Sequence, residues 1–150
     1  MSGVVHPYDE IYLSDNIITR GSLFAQVSRD TSGWDFSHFY REFMRCKTIA
    51  KLDISWPRYA CLNGVELRMY LEEEEPHLFI KGGHPWSESA AEWAGWFLTY
   101  HQWYWNVSSP KLGDFYTAET LLRMYPGAHT KGLGCVVEDE NPAYWYKTES

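Results

Sequence analysis

The side chains able to do chemistry are spread thinly along this chain. His38, Arg41 and Arg45 stand at i, i+3 and i+7, a spacing that lines one face of a helix and can receive a phosphate or carboxylate. The same spacing describes the solvated face that any amphipathic helix presents. Glu72 to Glu75 is a run of four carboxylates, suited to a metal, to a basic partner, or to an acidic turn guarding a strand end. The six histidines form no HxxxH or HExxH pattern, and no metal is expected. Cys46, Cys61 and Cys135 are far apart with no CxxC spacing. Each lies in or beside an apolar run, so they are expected to be reduced and mostly buried. No G-x-S-x-G nucleophile turn is present. His84 stands apart, in a Gly82-Gly83-His84-Pro85 loop just before a helix start, where loops often carry function.

The elements that would position these groups are dominated by one stretch. Five of the eight tryptophans lie between His84 and Asn106. Within it Trp93, Trp96, Phe97, Tyr100, Trp103 and Tyr104 recur at i, i+3, i+4, i+7, i+10 and i+11, one face of a 3.6-residue period. Ala94, Leu98, His101 and Trp105 add a second stripe, so the helix is apolar nearly all round. Such a helix is buried or lies against a partner. Two readings stand side by side: core packing alone, or core plus a contact surface formed by the surplus residues Trp86, Trp103 and Trp105.

The 150 residues suit one domain, and 45% hydrophobic with 17% aromatic content predicts an ordered core. A net charge of −7 disfavours phosphate backbones and anionic lipid and favours a basic partner. No apolar run reaches the roughly 18 residues that span a bilayer. The first residues, MSGVVHPYDE, have neither the basic nor the apolar region of a leader, so a cytoplasmic location is expected.

Along the chain, Glu10–Leu13 and Ile17–Val27 read as short β-segments, the second interrupted by Arg20-Gly21-Ser22. Residues 1–33 are therefore expected as an irregular or β N-terminal segment packed on a 34–150 core. Trp34–Ala50 reads as an amphipathic helix capped by Ser32 or Asp35. Arg58–Leu62 and Val65–Leu71 flank Asn63-Gly64, the pair that fits a type I′ turn, and read as a hairpin. His77–Lys81 reads as a third strand, followed by the aromatic helix, for which Ser89-Ala90-Ala91-Glu92 has the form of a capping box. A helix opened by Gly113-Asp114 and stopped by Pro126-Gly127 comes next. Leu133–Glu138 and Ala143–Lys147 read as a closing hairpin. The sum is a single α+β domain with a mostly antiparallel sheet and about three helices.

From Arg58 onward that order of elements, with Lys81-Gly82-Gly83-His84-Pro85-Trp86-Ser87 before the long helix and Met124-Tyr125-Pro126-Gly127 after the last one, resembles the GCN5-related N-acetyltransferase fold and its phage-borne relatives. The resemblance implies acetyl-CoA as cofactor, its pyrophosphate held by the amides around Lys81, Gly82, Gly83 and Ser87 at a helix N-terminus. It also implies Tyr125 as general acid. Glu72 or His84 would then be the base that deprotonates an amine. The glycine spacing departs from the family's loop, and Pro85 removes an amide donor.

The leading expectation is a small acidic module without a cofactor that binds another protein bearing a basic or apolar patch. It would use Trp86, Trp103 and Trp105, with His38, Arg41 and Arg45 as a second face. An antagonist, an immunity-type protein or a phage accessory protein fits that description. The alternative is an acyl-CoA-dependent N-acyltransferase, and a DNA-mimicking inhibitor ranks third.

Overall fold

The computed structural model describes residues 5–29, 32–83 and 86–145. Among them there is no strand, only an isolated antiparallel bridge between Trp34 and Lys81. The fold is all-α: α1 Leu13–Ser28, α2 Phe36–Phe43, α3 Lys47–Leu52, α4 Pro57–Ala60, α5 Gly64–Glu74, α6 Glu88–Trp105, α7 Ser109–Phe115, α8 Ala118–Ala128 and α9 Leu133–Asp139. Short 3₁₀ turns occupy Glu10–Tyr12, Pro76–Leu78 and Pro142–Tyr144.

This overturns the expected α+β domain, and with it the likeness to the acetyltransferase fold, whose order of elements is built on a sheet. Each misread strand has a physical reason. Val65, Leu67, Met69 and Leu71 alternate like a strand, yet Leu67 and Leu71 are fully buried at i, i+4 while Val65 and Met69 face solvent at i, i+4. Asn63-Gly64 is a helix start rather than a turn. The Asn63 side chain accepts from the Glu66 amide at 2.8 Å and the Glu66 carboxylate accepts from the Asn63 amide at 2.9 Å, a capping box that opens α5. Glu10–Leu13 forms a 3₁₀ turn that runs into α1, and His77–Lys81 begins within another. Leu133–Glu138 lies in α9 and Ala143–Lys147 overlaps the last 3₁₀ turn, its final two residues falling outside the described ones.

The helices expected from sequence are present with altered limits. α2 starts at the expected Asp35 cap, whose carboxylate accepts from the His38 amide at 3.0 Å, but the run to Ala50 breaks at 44–46 into α2 and α3. α6 is capped by Ser87 rather than Ser89. It ends where Asn106 turns left-handed (φ 53) and the Val107 amide returns to the Gln102 carbonyl. The last helix is split at 116–117 into α7 and α8, and α8 continues through Pro126 to Ala128.

The segment expected to be peripheral holds the centre. α1 lies along α6, and its inward side carries Leu23, Phe24 and Val27, all essentially inaccessible. Phe24 is met edge-on by Phe36, Phe39, Tyr40 and Phe43 of α2, with centroids 5.4–6.2 Å away, the favoured aromatic geometry. Phe97, Leu98, Leu112, Tyr116 and Leu121 continue this core beneath α6, α7 and α8.

α1 and α6 approach so closely because Gly95 meets Gly21. A methyl group on Gly95 would lie 2.7 Å from the Arg20 carbonyl oxygen and 2.9 Å from the Gly21 Cα, both main-chain atoms that cannot turn aside. Gly95→Ala gains about 1 kcal/mol of helix propensity and loses about 3 kcal/mol to overpacking, so a net destabilisation of about 2 kcal/mol is expected. Gly127→Ala in α8, where a methyl meets nothing within 4 Å, is expected to do the opposite and stabilise by roughly 0.5–1 kcal/mol. Urea unfolding of the two variants checks the pair: a stabilising Gly95→Ala would mean that the helices do not touch there.

Candidate functional site

Two places combine chemistry with access. The first is a buried polar group between four helices. Arg20 of α1 is 2% exposed and reaches Asp53, just beyond α3, at 3.5 Å. The Asp53 carboxylate also accepts from the Ser109 amide at 2.8 Å and from the Ser109 hydroxyl at 2.5 Å, at the start of α7. Gln102 of α6 donates its Nε2 to the Asp53 carbonyl at 3.0 Å. Burial raises the pKa of Tyr8, with the charge of Asp53 adding to the shift and Asn16 and the charge of Arg20 opposing it. Asp53 and Gln102 are among the residues lining a cleft of about 580 Å³ bounded by the end of α3, the α6–α7 turn and residues 142–145.

The second is the outward edge of α6. Trp96, Tyr100 and Tyr104, spaced i, i+4 and i+8, stay partly exposed while Trp93, Phe97 and His101 turn inward. Trp105 borders them, its ring 4.9 Å from Tyr104 and its indole nitrogen donating to the Val137 carbonyl at 2.8 Å. Tyr100 sits beside Gly134 of α9, and burial followed by the charges of Glu10, Tyr104 and Glu138 raises its pKa. The carboxylates of Glu10 and Glu138, from two separate elements, thus both act electrostatically on Tyr100.

The residues singled out from sequence are placed as follows. Trp103 is 5% exposed, stacked on His6 at 3.7 Å and donating to the Tyr8 carbonyl at 2.8 Å. Trp86 is half-buried against Phe36, 4.7 Å between centroids. His38 bonds the His77 carbonyl through Nε2 at 3.0 Å, which makes Nε2 the protonated nitrogen and leaves Nδ1 to accept from Arg41 at 3.4 Å. Arg45 pairs with Asp114 at 3.3 Å, both exposed, a contact of small energetic weight. Arg41 and Arg45 do share a hollow of about 290 Å³, but Asp114 and Glu119 line it too and balance their charge.

The acidic run separates by environment. Glu75 is 4% exposed and accepts from the Lys47 and Thr48 amides at 3.2 Å each, supplying the N-terminus of α3 with the cap that Cys46 does not. Burial pushes its pKa up, but hydrogen bonds from Thr48, Cys46 and Lys47 outweigh that and hold it below 4.5. Glu72 is held by Arg68. Glu73 and Glu74 face solvent. Burial pushes the Cys46 thiol up to about 12, so it is unreactive, while Cys61 and Cys135 are exposed, contrary to the expectation of mostly buried thiols.

Lys81 donates to the Ser32 carbonyl at 2.8 Å and lies over the Trp34 ring, and Gly82 and Gly83 turn at φ 110 and 77. Ser87 caps α6 through the Ala90 amide. Tyr125 packs on Trp93 and stacks on His129. His84 lies outside the described residues. Neither hollow above is lined by Tyr125, Glu72, Lys81, Gly82, Gly83 or Ser87, and each of these side chains or turns is engaged locally. Among the described residues no three His, Cys, Asp or Glu side chains are grouped to hold a metal, and no helix is long and apolar enough to cross a membrane.

Sequence reasoning missed Arg20, Asp53, Gln102 and Ser109. Their one signal is that Arg20 stands between the apolar pairs Ile17-Ile18 and Leu23-Phe24, in a stretch that folds as one helix. Compared with protein-family models, with curated proteins and with solved structures, the chain matches none.

Proposed function

We propose that this protein is a small acidic binding module that takes a basic, partly apolar segment of another protein along the outer edge of α6. The observation that carries the proposal is Tyr100, a partly exposed ring in line with Trp96 and Tyr104 and within the field of the Glu10 and Glu138 carboxylates. Rigid aromatic rings supply contact area at small entropic cost, and a Lys or Arg side chain placed over them gains both cation–π attraction and the flanking carboxylates. The net charge of −7 adds long-range attraction for such a segment and speeds its arrival. An antagonist, an immunity-type protein or a phage accessory protein would fit a surface of this kind.

Peptides selected from a random displayed library against the whole chain are expected to be rich in Lys or Arg alternating with apolar residues. Tyr100→Ala should weaken the best of them at least tenfold, about the 1.4 kcal/mol of a modest hot spot, and Glu10→Gln with Glu138→Gln should weaken it several-fold and flatten its salt dependence. Arg41→Ala should leave it unchanged. No basic enrichment, or full binding by a folded Tyr100→Ala chain, would refute the assignment.

A further inference from the structure

Trp103 is covered by the chain's own N-terminal segment. It stands seven residues after Trp96 and three after Tyr100, so on a 3.6-residue period it continues the aromatic line of the α6 edge. It is nevertheless only 5% exposed: His6 stacks flat on it, 3.7 Å between centroids and 11° between planes. His6 Nδ1 donates to the Trp103 carbonyl at 2.9 Å, and the Trp103 indole nitrogen donates to the Tyr8 carbonyl at 2.8 Å. The His6 ring also edges that of Tyr104, 6.4 Å away.

The covering strap is shallowly attached. Residues 5–8 belong to no helix, and among the described residues their main chain makes no hydrogen bond to other main chain. Regular structure starts only at Asp9, whose carboxylate caps the 3₁₀ turn that leads into α1. Val5 is 77% exposed, none of residues 5–12 is buried, and Leu13 is the first that is. Tyr8, its hydroxyl enclosed, fixes one end. Residues 5–7 are the part that lifts, since a segment with so few buried contacts opens locally without disturbing the fold beneath it.

The place that His6 fills suits an arginine better. The Trp103 carbonyl belongs to the last turn of α6, where carbonyls lack partners within the helix and the aligned peptide dipoles leave partial negative charge. Glu10 and Glu138, acting on neighbouring Tyr100, deepen that field. A guanidinium is as flat as an imidazole, stacks on aromatic faces, keeps its charge and carries five N–H donors.

From the His6 stack on Trp103 at the C-terminal end of α6, we infer that residues 5–7 are an autoinhibitory strap, and that an arginine of the partner segment displaces His6. The inference rests on the α6 edge being the docking surface and adds a regulated end to it. With the strap closed the line offers Trp96, Tyr100 and Tyr104. With the strap lifted Trp103 joins them, and the arginine stacks on its ring and donates to its carbonyl. A site open for only a fraction of the time binds more weakly by that fraction, so loosening His6 tightens the partner without any new contact.

The test is an NMR titration of the whole chain with the acetylated and amidated peptide Leu-Arg-Leu-Arg-Leu, and with its citrulline counterpart, which keeps the shape and loses the charge. The expected result is a saturable shift of the Trp103 indole signal with the arginine peptide, at least fivefold weaker with citrulline. His6→Ala should tighten the arginine peptide at least threefold and open the Trp103 ring to a dissolved paramagnetic probe. His6→Arg, which sets an arginine of the chain itself on Trp103, should weaken the peptide at least threefold. Both changes fall on a segment without buried residues, so the melting temperature should stay close to that of the parent. Equal affinity of the parent and both variants, or binding that shifts Tyr100 and Tyr104 but not Trp103, would overturn the strap and leave the docking edge standing. No saturable binding to any of the three forms would overturn both.

Discussion

Asp53→Ala is expected to be the most damaging single truncation in the protein, at about 3–5 kcal/mol, enough to unfold a chain of ordinary stability. Removing the carboxylate leaves the Arg20 guanidinium, 2% exposed, without its counter-charge, in a place where its Nε and Nη1 already have no partner among the described residues. It also releases the Ser109 amide and hydroxyl that hold the start of α7. Much of the cost belongs to the orphaned arginine rather than to the pair itself, because two charges taken out of water gain little net energy from each other.

The double variant separates the two contributions. Arg20→Met with Asp53→Asn removes both charges while the asparagine oxygen can still accept from the Ser109 amide, and it is expected to regain most of the loss, to within about 1 kcal/mol of the parent. Urea unfolding of the single and double variants reads this directly. A loss under 1 kcal/mol for Asp53→Ala, or a double variant no better than the single, would mean that the Arg20 charge is solvated after all.

The same group explains why the sequence was readable only in part. α6 was legible because eighteen residues in a 3.6-residue rhythm resemble nothing else, and α2 because its phenylalanines keep that rhythm beside an Asp cap. α1 was not, because its inward face includes Arg20 and Gly21: the arginine answers to Asp53, 33 positions away, and the glycine to Gly95 across the helix crossing. Polar and small residues at those positions look like a break in a strand until the partners are known. α5 misled in the other direction, since its apolar residues fill an inner and an outer line at once and the two lines interleave into a false period of two.

The contact surface shows the same limit. An excess of aromatic residues on α6 could be counted, but which rings remain partly open depends on what α1, α9 and the N-terminal turn cover. Trp103 is closed over by His6 and Tyr8, whereas Tyr100 and Tyr104, the latter only edged by His6, stay partly exposed. The burial of His101 was equally out of reach, because its partner Glu140 lies 39 residues on, in the link between the two segments that read as a closing hairpin.

His101 should make the fold sensitive to mild acid. Its ring is fully buried among Phe97, Tyr116 and Trp145, and its Nε2 donates to the Glu140 carbonyl at 2.6 Å, so the neutral ring carries its proton on Nε2. Burial pulls its pKa from 6.5 down to about 4, against the carbonyls of Glu140 and of His101 itself, which favour the charged form. Above pH 6.5 both folded and unfolded chains carry the neutral ring and stability is complete. Between 6.5 and 4 the unfolded chain takes up a proton that the folded chain refuses, so stability falls with each unit of pH, by about 3 kcal/mol in all. Below pH 4 both states are protonated and His101 removes nothing more. Glu75 then takes over, since a carboxyl held below 4.5 in the fold loses its contribution only as pH falls under that value. Urea unfolding between pH 7.5 and 4 is expected to show this slope in the parent and a markedly flatter one in His101→Gln, whose amide can still donate to Glu140. An unchanged slope in that variant would mean that the ring is open to protons in the folded state, and that residues 140–145 do not seal it.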